Sequence, residues 1–99
     1  MRILVFSSSF KRAFKTTIRR RPDLKLKIEE KLRLLATDPY HPILRTHKLK
    51  GKLSGAWACT VEYDCRIVFS FVENQERQER QERQEEILLI DLGTHDEVY

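Results

Sequence analysis

Only three glycines and three prolines occur in 99 residues, a scarcity that excludes a loop-dominated or collagen-like chain. Two cysteines are too few for a disulfide scaffold. No stretch approaches the roughly 20 apolar residues of a membrane span, and the run Ile3 to Phe6 is too short for a signal-peptide core. A glycine-rich phosphate loop, paired metal-binding carboxylates and a Ser-His-Asp spacing are all missing, so nucleotide hydrolysis, metal catalysis and acyl transfer lack support. The sequence calls for no cofactor and no metal. An intracellular, cytoplasmic protein is expected.

What the chain does have is charge, unevenly distributed. Residues 1 to 52 carry 15 Lys and Arg against four Asp and Glu, a net of +11, whereas residues 53 to 99 carry four against 11, a net of −7. A basic half of this size steers phosphate backbones, offers a docking face to an acidic partner, or is simply solvated surface; nucleic acid is the favoured partner. With 40% hydrophobic residues, the length suits one domain, residues 1 to 99, around one core.

Arg2 to Phe6 reads as a strand. Ser7, Ser8 and Ser9 offer hydroxyl caps, after which Phe10, Ala13, Phe14, Thr17 and Ile18 follow the spacing of one helical stripe, with Lys11, Arg12, Lys15 and Arg19 opposite. Pro22 ends that helix and opens a second, whose stripe is Leu24, Ile28, Leu32 and Leu35. Asp38-Pro39-Tyr40-His41-Pro42 stops helical structure, and a loop follows. From Ala56 to Val72 the composition turns β-rich around a turn at Tyr63 and Asp64, and Ile87 to Leu92 supplies the last strand. The expected fold is α+β, with the helical hairpin on one face of a mainly antiparallel four-stranded sheet. Between the last two strands, residues 75 to 86 form a Gln-Glu-Arg repeat with no apolar residue, expected to be an inserted polar loop.

With Tyr63 and Asp64 at the turn, Cys65 faces Glu62 and Cys59 faces Val68, which sets the thiols on opposite faces and reads both as small core residues. The same register groups Cys65, Ile67, Phe69 and Phe71 on the core face. Arg66 then shares the other face with Val68, Ser70, Trp57, Cys59 and Val61, a groove with an apolar floor. There Arg66 is either a guanidinium aimed at substrate or a surface arginine paired to Asp91 or Glu62.

Arg45, His47, Lys48, Lys50 and Lys52 lie in the linker ahead of the hairpin, a basic loop able to hold a phosphate while one imidazole moves a proton. The closing Gly93-Thr94-His95-Asp96-Glu97-Val98-Tyr99 adds a second imidazole, carboxylates and a phenol behind a strand. Two imidazoles suffice for RNA cleavage without metal: one takes the 2′-hydroxyl proton, the other protonates the departing 5′-oxygen, each transfer worth about 10²- to 10⁴-fold in rate. Arg66 is the candidate for stabilising the phosphorane-like transition state. Asp64 either orients a histidine or closes the turn, and Tyr99 either stacks on a base or packs on the sheet.

The linked pattern His47-Lys48-Leu49-Lys50-Gly51, Gly55-Ala56-Trp57, Val61 to Phe69 and Gly93 to Tyr99 resembles the RelE/ParE toxin superfamily, most of all its RelE and YafQ-type messenger-RNA endoribonucleases. The resemblance implies a toxin of a type II toxin–antitoxin pair that cuts messenger RNA in the ribosomal A site by 2′-hydroxyl attack. It also implies silencing by a cognate antitoxin, with operator DNA reached only through that partner. By motif, His47 and His95 match the YafQ-type histidines, Asp64 an acidic residue of the same hairpin, Arg66 the strand arginine and Tyr99 the closing aromatic. Thr60 stands where YafQ-type toxins carry a further histidine. A ParE-like inhibitor of DNA gyrase and a noncatalytic antitoxin-binding member remain alternatives.

Overall fold

A computed structural model describes residues 1–51, 55–73 and 85–93. Strand β1 (Ile3–Phe6) leads into helix α1 (Ser8–Arg20), and α2 (Leu24–Thr37) follows. A 3-10 turn over Pro42–Leu44 precedes four further strands, β2 (His47–Lys48), β3 (Trp57–Glu62), β4 (Cys65–Glu73) and β5 (Glu85–Gly93). The order across the sheet is β1-β5-β4-β3-β2, with β1 parallel to β5 and the other pairs antiparallel.

The sheet thus has five strands, not four. The extra one is the two-residue β2, where His47 pairs with Ala58 and Lys48 with Trp57. So short a strand has no periodicity to read in sequence, and its pairing partners lie about ten residues away, so His47 and Lys48 sit on a sheet edge and not in a free linker. Strand β5 also begins earlier than expected, at Glu85, which withdraws Glu85 and Glu86 from the polar repeat. The rest of that repeat lies outside the described residues.

Local chemistry accounts for the helices. The Ser7 hydroxyl accepts the Phe10 N–H at 3.1 Å and caps α1, whose Phe10 is fully buried while Ala13, Phe14 and Ile18 pack beside it. Arg19 and Arg20 occupy its last turn, where cations complement the helix dipole. Leu24, Ile28, Leu32 and Leu35 of α2 are buried on the expected stripe. Both helices close over one face of the sheet, forming a core with Cys59, Val61, Cys65, Ile67, Phe69, Ile87 and Leu89. Among the described residues, no helix is long and apolar enough to cross a membrane.

The hairpin register departs from a regular two-residue turn. Glu62 faces Cys65 as expected, but Thr60 faces Arg66 and Cys59 faces Ile67, so Val61 is an extra residue and β3 carries a bulge. A one-residue slip exchanges the faces of everything beyond it. Trp57, Cys59 and Val61 therefore join the helix-side core, and the two thiols lie on one face, not two. The reason is packing: the slip buries three apolar side chains against Cys65, Ile67 and Phe69. Both cysteines are buried and free. Burial, reinforced by nearby Cys65, pushes the Cys59 thiol up to about 12.

Candidate active site

The face of the sheet away from the main core holds the candidate residues. Arg66 and Thr60 are partners across β3 and β4, and on its other side Arg66 faces Gly93, the residue from which the closing segment departs. One step along, His47, Ala58 and Val68 form a row across β2, β3 and β4. His47 and Arg66 thus share a face, two strand spacings and two residues apart, or about 12 Å between Cα atoms by ordinary sheet dimensions. The floor is apolar as expected, but made of Leu49, Ala56, Ala58 and Val68 with Ile90 beside them. A second bulge, in β5, sets Ile90 and Asp91 against Val68 alone. Bulges concentrate next to functional sites because they re-aim side chains, and here two flank the row that contains Arg66.

His47 is exposed, and its Nδ1 lies 2.9 Å from the Arg45 carbonyl oxygen. A carbonyl only accepts, so Nδ1 carries the proton and Nε2 keeps its lone pair in the neutral ring. Arg45 reaches this geometry in the left-handed region, at φ 50°, a conformation costing a non-glycine residue roughly 1–2 kcal/mol. The hydrogen bond to the Arg45 carbonyl is what sets the ring tautomer.

The other candidates are dispersed. Lys48 lies on the opposite face from His47, with its Nζ 5.4 Å from the centre of the Trp57 ring. Arg45 and Lys50 are exposed. Asp64 does close the turn, and its carboxylate accepts a hydrogen bond from Arg21 Nη1 at 2.8 Å. Glu62 and Asp23 also engage Arg21, each at 3.3 Å, and Lys27 pairs with Glu62. Glu62 is therefore held from the helical side. The surrounding carboxylates, Asp23 first and then Asp64, raise the Arg21 pKa further above its ordinary value. Arg21 was not legible as a site residue: it sits in a basic run, 43 positions from Asp64, and only the folded hairpins bring the two together. Lys52, His95 and Tyr99 lie outside the described residues.

A family model described as the bacterial toxin of type II toxin-antitoxin system, YafQ, matches residues 2–99. The chain belongs to the YafQ toxin family. Solved YafQ from E. coli strain BL21(DE3) is 18% identical, covers 100% of this chain and 99% of its own, and superposes with a TM-score of 0.77. A metal-bound toxin from Helicobacter pylori is 27% identical with full coverage of both chains and a TM-score of 0.73. E. coli YafQ in complex with DinJ is 20% identical, covers 100% of this chain and 99% of its own, and has a TM-score of 0.75. Comparison with curated protein sequences gives no match. As a YafQ-family toxin the chain has the family's α+β fold, a two-helix layer on a mixed sheet.

Proposed function

We propose that this toxin is an endoribonuclease that cuts messenger RNA on the ribosome without a metal ion. One arrangement carries the reading: a strand arginine, Arg66, whose partner across the ladder is the residue that launches the His95 and Tyr99 segment, with His47 on the same face. His47 Nε2, the nitrogen that carries the lone pair when Nδ1 donates to the Arg45 carbonyl, takes the ribose 2′-hydroxyl proton. The 2′-oxygen attacks phosphorus, the bond to the 5′-oxygen breaks, and His95 protonates the leaving oxygen. The products are a 2′,3′-cyclic phosphate and a 5′-hydroxyl. Arg66 neutralises the charge that builds on the phosphorane, and Tyr99 stacks on a base. Arg45, Lys50 and Lys52 supply positive charge along the RNA path, whereas Lys48, over the Trp57 ring on the opposite face, takes no part in it. Asp64, engaged by Arg21, acts through the turn: it fixes the hairpin end two residues before Arg66 and is a positioning residue.

The same reading includes a cognate antitoxin, as E. coli YafQ was solved with DinJ. An apolar cleft of about 390 Å³ between β1 and the two helices, lined by Leu4, Phe6, Phe14 and Leu32 and rimmed by Glu29 and Arg33, offers an apolar antitoxin segment a seat.

The test is end analysis of messenger cut on programmed ribosomes by purified toxin that has been stripped with EDTA and then freed of the chelator by gel filtration. Cyclic-phosphate and 5′-hydroxyl ends are expected. Intact messenger alongside DNA damage in cells would replace this reading with gyrase inhibition, and intact messenger with antitoxin binding preserved would make the chain a noncatalytic member.

A further inference from the structure

A second cleft opens at the edge of the sheet, where β2 stops and β3 runs on. Among the described residues β2 covers only Trp57 and Ala58, so from Cys59 onward the outer edge of β3 faces α2 and the 3-10 turn across open space. This cleft encloses about 650 Å³, a volume suited to a nucleotide-sized ligand. Lys31, His41, Arg45, Thr60 and Tyr63 line it, together with Glu62. The Glu62 carboxylate is already engaged by Lys27 and Arg21, which leaves the positive charge of Lys31 and Arg45 to set the sign of the cleft.

Two of these residues have no part in the chemistry above. Tyr63 is 96% exposed at the tip of the hairpin, an aromatic face that packs against no core. His41 Nδ1 accepts the Ile43 N–H at 3.2 Å, so its neutral ring carries the proton on Nε2 and presents a donor. Cations beside an exposed aromatic ring form the combination that holds single-stranded nucleic acid, with phosphates on the charges and a base on the ring. The cleft is continuous with the candidate active site at two points. Thr60 is the ladder partner of Arg66, and Arg45 holds the His47 ring.

We infer that this cleft is a nucleotide subsite for the RNA segment flanking the scissile phosphate: Tyr63 stacks a base, Lys31 and Arg45 bind the backbone phosphate, and His41 Nε2–H donates a hydrogen bond to the nucleotide. The inference rests on the RNA-cleaving reading for its substrate. An acidic polypeptide would also meet the two cations and the donor, but a flat exposed ring beside backbone-binding cations fits a stacked base better.

The test uses the full chain and an RNA pentanucleotide whose 2′-hydroxyls are methylated, so that it binds without being cut. Fluorescence anisotropy across a salt series is measured for the native toxin, Tyr63→Ala and Lys31→Ala, with circular dichroism confirming the fold. Loss of one stacked base should weaken binding by about five- to 150-fold in Tyr63→Ala. Lys31→Ala should lower the slope of log affinity against log salt by about 0.7. On programmed ribosomes both variants should raise KM more than they lower kcat. Native affinity, salt slope and KM in both variants, with messenger still cleaved, would overturn the subsite and leave the endonuclease standing. Binding that depends on Tyr63 and Lys31, without messenger cleavage by the native toxin, would do the reverse. RNA binding that depends on neither residue, with an acidic peptide whose binding depends on both, would assign the cleft to a protein partner and refute the inference.

Discussion

Single side chains in this toxin do their work through what holds them. The exposed His47 ring is oriented by the Arg45 carbonyl, which sets its tautomer. Cys59 illustrates the opposite constraint, a group the fold keeps from ionising. Its folded pKa lies near 12, raised from an ordinary 9.0 by burial and by Cys65. The unfolded chain releases this proton first as pH rises, so it binds fewer protons than the native state between those values and stability falls with pH across that window. The expected slope approaches about 1.4 kcal/mol per pH unit above pH 9. Urea unfolding of the native chain and of Cys59→Ala between pH 8 and 10.5 checks this, and equal slopes for the two would show that Cys59 does not carry the effect.

At the scale of elements, caps and clamps set the positions of helices and turns. Ser7 caps α1 and also reaches the Ile90 carbonyl of β5, so it ties the helix start to the sheet. Ser7→Ala should cost about 1 kcal/mol. In a domain of this length that lowers Tm by about 4–8 °C in thermal unfolding. Arg21 joins the turn between the helices to the turn of the β3–β4 hairpin through Asp64 and Glu62. Arg21→Met should speed amide exchange several-fold at residues 62 to 66 while leaving the centre of β4 protected, a difference read by exchange NMR. Unaltered exchange at the turn would remove Asp64 and Arg21 from the positioning role.

The elements also show where sequence was informative. The helical stripes and the Tyr63–Asp64 turn were legible because each is written within a few residues, in periodicity or turn chemistry. The faces of β3 were not, because the bulge at Val61 is decided by which register buries Trp57 and Cys59 against a strand and two helices. The edge strand at His47 and the Arg21 clamp were hidden for the same reason: both are made by partners supplied by the fold, from ten to more than 40 positions away. The apolar groove beneath Arg66 was expected on the right face, with Val68 correctly placed and Trp57, Cys59 and Val61 wrongly assigned to it.

For the whole molecule, the division of the sheet into two faces organises the proposed function. One face is given to the helices and the main core, and the other, with its smaller apolar floor, is left to His47, Thr60 and Arg66. The first β-strand pairs with the last, Ile3 with Glu86 through Phe6 with Leu89, and the Arg2 Nε to Glu85 bond of 2.6 Å closes that edge. Pairing across more than 80 residues makes the site a product of complete folding, since β5 is the strand that delivers Gly93 to Arg66. The proposed site is tested most directly by the single-turnover rate of messenger cleavage on programmed ribosomes for Arg66→Ala and His47→Ala, each checked for native fold. A fall of about 10²- to 10⁴-fold in each is the predicted result, and cleavage at the native rate by either variant would contradict it.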